Sequence, residues 1–109
     1  MISRVWHGWT THENAEAYET LLREEIFRDI ENRAIKGYLG INLFRRDMNP
    51  ETEFMTVMWF DSFDAVREFA GKDHEKAVVP PKAKELLSRY DKRSQHYEVI
   101  IERRGEQIT

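Results

Sequence analysis

Apolar and polar positions alternate over residues 2–9, ISRVWHGW, in a run rich in β-forming side chains, which predicts a first strand. Period two sets Ile2, Arg4 and Trp6 on one face and Val5, His7 and Trp9 on the other. The period then lengthens. Tyr18, Leu21, Leu22 and Ile26 recur at helical spacing, with acids and Arg23 opposite, so residues 12–31 read as one long amphipathic helix. Thr10-Thr11-His12-Glu13 fits a capping box at its start, with Thr10 bonding a free amide and Glu13 reaching back.

Gly37 admits a tight turn into GYLGINLFRR, a second strand, and the turn cluster Asp47-Met48-Asn49-Pro50 leads to a third, EFMTVMWF (53–60). The short link makes these two a hairpin. Asp61 or Ser62 then caps a helix over FDAVREFA, which Gly71 stops. KDHEKAVV reads as one or two helical turns. Pro81 suits the first position of a further helix whose stripe is Ala83, Leu86, Leu87 and Tyr90. After the polar link DKRS, QHYEVIIERR (95–104) reads as the last strand.

This β-α-β-β-α-(α)-β order predicts an α+β, ferredoxin-like βαββαβ fold with a four-stranded antiparallel sheet and helices on one face. Strict alternation puts Tyr38, Asn42 and Phe44 opposite Leu39, Ile41 and Leu43, and Phe54, Met58 and Phe60 opposite Met55, Val57 and Trp59. Both sheet faces are therefore apolar, which a two-layer domain standing alone would not choose. A second copy laying its sheet against this one resolves the conflict, so a homodimer is expected.

Composition narrows the partners. The chain has 109 residues, a single-domain length with no internal break in composition, so residues 1–109 are expected to form one domain. Without cysteine, disulfides and thiolate chemistry are excluded. No apolar run reaches about 18 residues and no basic-then-apolar leader opens the chain, so a soluble, cytoplasmic protein with no membrane partner is expected. The net charge of −3, with both signs interspersed, does not favour a polyanion. RNA-recognition motifs share the βαββαβ order, but their basic-aromatic signature belongs on the third strand. Here only Lys36-Gly37-Tyr38 echoes it, on the second, and Leu39 interrupts it before Gly40. No nucleic-acid partner is expected.

RVWHGWT, the Arg45-Arg46 pair ending the second strand, EFMTVMWFDSFDAVREFAG and the closing HYEV resemble, in order, the antibiotic biosynthesis monooxygenase domains of the dimeric α/β-barrel superfamily. The resemblance covers nearly the whole chain. It implies a ferredoxin-like monomer whose sheet pairs with a partner's to make a barrel. The family includes cofactor-independent oxygenases acting on polycyclic phenols, haem-degrading enzymes, and members without an assigned reaction. Haem degraders use an asparagine late in the first strand, a tryptophan on the second helix and a histidine beyond it. The matching positions here hold His7, Phe69 and Val79, with His74 nearby, so the haem triad is absent.

Under the oxygenase resemblance no cofactor or metal is implied, and the substrate is a small aromatic or polyketide-type molecule. His7 or His96 would take its phenolic proton, since histidine titrates in the range that task requires. Arg46 or Tyr97 would help hold the oxyanion. Trp9, Asn42, Trp59, Phe69 and His74 complete the expected substrate contacts. Each has a plainer reading: His7 as a hydrogen-bonded strand residue, His74 and His12 as solvated, and the aromatics (Trp6, Trp9, Trp59, Phe63, Phe69) as core or interface. The two histidines could share a site only if their strands place them on one face. No H-E-x-x-H spacing, glycine-rich phosphate loop or nucleophile elbow occurs. A non-catalytic dimeric ligand-binding or stress-response module of the same fold is the competing reading.

Overall fold

The computed structural model describes residues 1–105. Its first strand, β1 (Ile2–Thr11), extends past the alternating run because Thr10 and Thr11 still pair with Thr52 and Glu51. The helix cap moves with it: Thr11, not Thr10, accepts from the Asn14 backbone N–H at 3.3 Å. The long helix has three parts, α1 (His12–Leu21), a π-helical segment (Leu22–Ile26) and α2 (Phe27–Asn32). At the π segment the Phe27 N–H reaches back to the Leu22 carbonyl, a widened turn that sequence periodicity does not mark.

The strands β2 (Tyr38–Asp47) and β3 (Glu51–Phe60) form the expected hairpin. Gly37 precedes it at φ 92°, packed so closely on Asp61 that a Cβ there would lie 2.2 Å from Oδ1. Of the two candidate caps, Ser62 starts α3 (Phe63–Ala70), its hydroxyl accepting from the Ala65 N–H at 3.3 Å, and Gly71 ends it at φ 94°.

Three expectations fail in the last third. KDHEKAVV is not helical, because its backbone bonds are spent on the 92–94 segment: Ala77 N–H to Lys92 O at 3.0 Å and Ser94 N–H to Glu75 O at 2.6 Å. The final helix, α4 (Pro81–Leu86), starts at Pro81 as expected but ends early, and Leu87–Tyr90 becomes β4. β5 covers only Gln95–Glu98, paired with Ile2–Val5 and followed by one further backbone bond, Val99 N–H to Met1 O at 2.9 Å.

All strand pairs are antiparallel, in the order β2-β3-β1-β4. β4 pairs with Gly8–Thr10 and β5 with Ile2–Val5, so five strands fill the four positions of a ferredoxin-like sheet. Helices cover one face. There Phe54 and Phe60 are fully enclosed, and Ile2, Trp6 and Met58 are buried with them. Tyr38 joins this face, contrary to strict alternation. A register shift between Tyr38 and Gly40 turns it against Phe60, and Leu39 is left 56% exposed. The opposite face, carrying Val5, His7, Trp9, Asn42, Phe44, Met55, Val57 and Trp59, has no helix over it among the described residues.

Candidate functional site

Between the sheet and the long helix the side chains leave a chamber. Its floor is Arg4, Trp6, Ile41, Thr56 and Met58 from the strands, and its roof is Tyr18, Leu22, Ile26, Phe27 and Ile30 from the helix. The widened turn contributes Leu22 and Ile26 to that roof. Its cavity volume is about 60 Å³. Past Ile26, Ile30, Phe69, Val78 and Pro80 the chamber meets a mouth of about 490 Å³, flanked by Glu25, Asp29, Arg33 and Lys82. Chamber and mouth together have the apolar lining and the size of a small-molecule pocket.

Arg4 is the only charged side chain among the described residues that is buried, at 3% exposure. Alternation puts it there: it shares the helix face of β1 with Ile2 and Trp6. Its Nη1 donates to the His74 carbonyl and, at 3.0 Å, to His96 Nε2, while its Nη2 donates to the Lys76 carbonyl at 2.9 Å. The Phe69 ring centroid lies 5.4 Å from the guanidinium. No carboxylate pairs with it among the described residues. Burial lowers its pKa to about 10, which leaves it cationic at neutral pH.

His96 stands behind Arg4. Because arginine only donates, Nε2 must accept and the neutral ring carries its proton on Nδ1, a buried N–H with no partner among the described residues. Burial first, then the Arg4 charge and His74, push its pKa down to about 4. Tyr18, buried on the roof and packed edge-on against Phe54 at 4.9 Å, has its hydroxyl pKa raised by burial, so it remains a proton donor. No described residue hydrogen-bonds that hydroxyl.

The expected site residues divide between the two faces. His96 pairs across from Arg4 and belongs to the helix side, with Phe69, which lines the chamber. His74 packs edge-on to His96 at 5.2 Å and reaches the chamber only through its carbonyl on Arg4. His7 lies on the open face, so the two histidines do not share a site. Its Nδ1 is 2.9 Å from Asp91 Oδ2 and its ring stacks on Trp9 at 6.0 Å. Trp9 lies under Arg89 at 3.8 Å, and Trp59 Nε1–H donates to Asn42 Oδ1 at 2.8 Å. Tyr97 and Arg46 are exposed on the same open side, beside Ser3 and Glu53. An oxyanion held by Arg46 or Tyr97 would therefore lie across the sheet from the chamber. Sequence reading passed over Arg4 and placed Tyr18 only in the helix stripe. A charged residue alternating with Ile2 and Trp6 was the available signal.

His74, Glu75 and His96 bring ligand atoms within 4.8 Å of one another. The cluster is poorly suited to a cation, because Arg4 occupies His96 Nε2 and Arg93 holds Glu75 at 3.3 Å.

No family model matches the chain, and no curated protein matches it by sequence. Solved structures do, and they define its class as ferredoxin-like α+β. A Bacillus cereus protein described as a candidate antibiotic biosynthesis monooxygenase is 12% identical, covering 98% of this chain and 97% of its own, with a TM-score of 0.59. An MhuD variant with two manganese protoporphyrin IX molecules bound per active site is 16% identical, covering 96% and 100%, at 0.62. A conserved protein from Methanosarcina mazei Go1 is 20% identical, covering 88% and 89%, at 0.59. The resemblance to antibiotic biosynthesis monooxygenases read from the sequence is thus borne out as a shared fold.

Proposed function

We propose that the chain, a single cytoplasmic domain over residues 1–109, acts as a homodimer that binds a small aromatic or polyketide-type molecule between sheet and helices. There it oxidises the molecule with dioxygen, without flavin or metal. The chamber is the observation that carries this reading: a two-layer core is normally packed solid, and here an apolar space opens on Arg4 and Tyr18. In such a reaction the phenol gives its proton to solvent and binds as the phenolate, its carbanion form takes up dioxygen, the peroxide anion regains a proton from solvent, and loss of water leaves a quinone. Arg4 and Tyr18 supply donors to the oxyanion, and the apolar walls exclude water. His96 is a positioning residue in this scheme, since it acts through Arg4. His7, with Trp9, Asn42, Trp59 and Tyr97, belongs to the face that the second copy covers.

Oxygen uptake by the purified protein with anthrone tests the reaction. The expected result is turnover that a chelator leaves unchanged and that a chamber-filling Leu22→Trp variant reduces at least tenfold. Turnover equal in both proteins contradicts the reading. One observation favours a non-catalytic binding module instead: no histidine or carboxylate among the described residues lines the inner chamber. Saturable anthrone binding with no oxygen consumption, lost in Leu22→Trp, would establish that alternative.

A further inference from the structure

A buried guanidinium with no counter-charge is costly, and proteins keep buried charges paired or close to a charged ligand. Arg4 has five N–H donors, of which three are occupied, all by neutral acceptors: two backbone carbonyls and the His96 ring. Among the described residues the Nε–H and one Nη2–H have no partner, and the side chain lines the chamber. The three occupied donors fix the orientation of the guanidinium. At the mouth, Glu25 is bonded to Lys82 at 2.7 Å, and Asp29 is offset by Arg33 in the same rim, so the unbalanced charge of the whole space is that of Arg4.

We propose that the chamber takes a monoanionic, otherwise apolar small molecule whose charged oxygen docks on the two free donors of Arg4 and whose ring lies among Leu22, Ile26, Ile41, Met58 and Phe69. The inference rests on the reading of this chamber as the ligand site. A carboxylate meets an arginine fork with two parallel hydrogen bonds, and an ionised phenol with one or two, so an aromatic acid and a phenolate share the same recognition. The Tyr18 hydroxyl, still protonated and without a partner among the described residues, is a further donor on the chamber wall. A cationic ligand is excluded by the same charge.

Titration calorimetry at pH 7 with 2-naphthoate, its neutral isostere 2-naphthamide and 2-naphthol tests the inference. The expected result is naphthoate binding at least tenfold tighter than naphthamide. Arg4→Met should abolish that preference while naphthamide still binds, and Arg4→Lys should retain part of it. A gain in 2-naphthol affinity as pH is raised toward its ionisation marks phenolate recognition; its absence confines the site to carboxylates. Equal affinities for naphthoate and naphthamide overturn the anion inference but leave the chamber as a ligand site. Binding of neither probe overturns both. Arg4→Met also removes two hydrogen bonds that hold the 74–76 segment and one to His96, so the wild-type chain gives an independent measure: at equal concentrations naphthoate must raise Tm more than naphthamide. An equal rise contradicts the proposal.

Discussion

Phe54 on β3 and Phe44 on β2 belong to one hairpin, ten residues apart in sequence and on opposite sides of the sheet. Phe54 is fully enclosed under the Tyr18 ring, whereas Phe44 is 48% exposed. The same contrast runs along β1. Ile2, Arg4 and Trp6 face the helices and are buried; Val5, His7 and Trp9 face outward and are partly open. Similar residue types on the two faces thus meet different surroundings. Where helices cover the sheet, packing leaves a chamber around one buried cation. Where no described residue covers it, aromatic and aliphatic side chains form a contiguous patch of the kind that marks an association surface.

That contrast can be broken at several points. Phe54→Ala should be the most damaging change, costing about 3–5 kcal/mol by chemical denaturation, whereas Phe44→Ala should cost the isolated protomer no more than about 1 kcal/mol. Comparable losses at the two positions would mean that the faces do not differ as described. Phe44→Asp should weaken self-association about 100-fold, on the order of 3 kcal/mol, as read by sedimentation equilibrium, with the far-UV spectrum unchanged. A dimer of undiminished affinity would remove the open face as its interface.

The buried side also carries a pH signature. His96 holds a pKa near 4 in the fold, against 6.5 for the free side chain, so over that interval the unfolded chain binds the extra proton. Its contribution to stability is complete above about 6.5, is lost as pH falls toward 4, and changes no further below that. Urea midpoints at pH 7, 6 and 5 should therefore decline in the wild type and decline less in His96→Gln; parallel slopes would contradict the assignment. The smallest effect belongs to His7. Its 2.9 Å contact with Asp91 is partly open to solvent, so His7→Ala should cost the protomer only about 0.2–1 kcal/mol.

Much of the fold was legible in the sequence because it rests on local signals. The alternation in β1, the stripe of the long helix, the turn before Pro50 and the glycine after α3 each act over a few residues. What escaped reading depends on distant partners. Ala83, Leu86, Leu87 and Tyr90 fit a helical stripe, yet Ser88 donates to the Trp9 carbonyl at 3.0 Å and Arg89 binds Glu51 at 3.1 Å, and the sheet edge takes Leu87–Tyr90. The register between β1 and β5 decides that His96 sits with Arg4 and away from His7, and no local pattern encodes a register. The candidate site was only partly readable for the same reason. Phe69 could be selected as an aromatic, but the importance of Arg4 appears only once the helix closes over it.

The two faces divide the labour of the fold, and methyl NMR of one titration with 2-naphthoate separates them. The methyl signals of Leu22, Ile26, Ile41 and Met58 should shift on binding while those of Val5, Met55 and Val57 stay in place. Shifts centred on Val5, Met55 and Val57, with the chamber methyls unmoved, would contradict it.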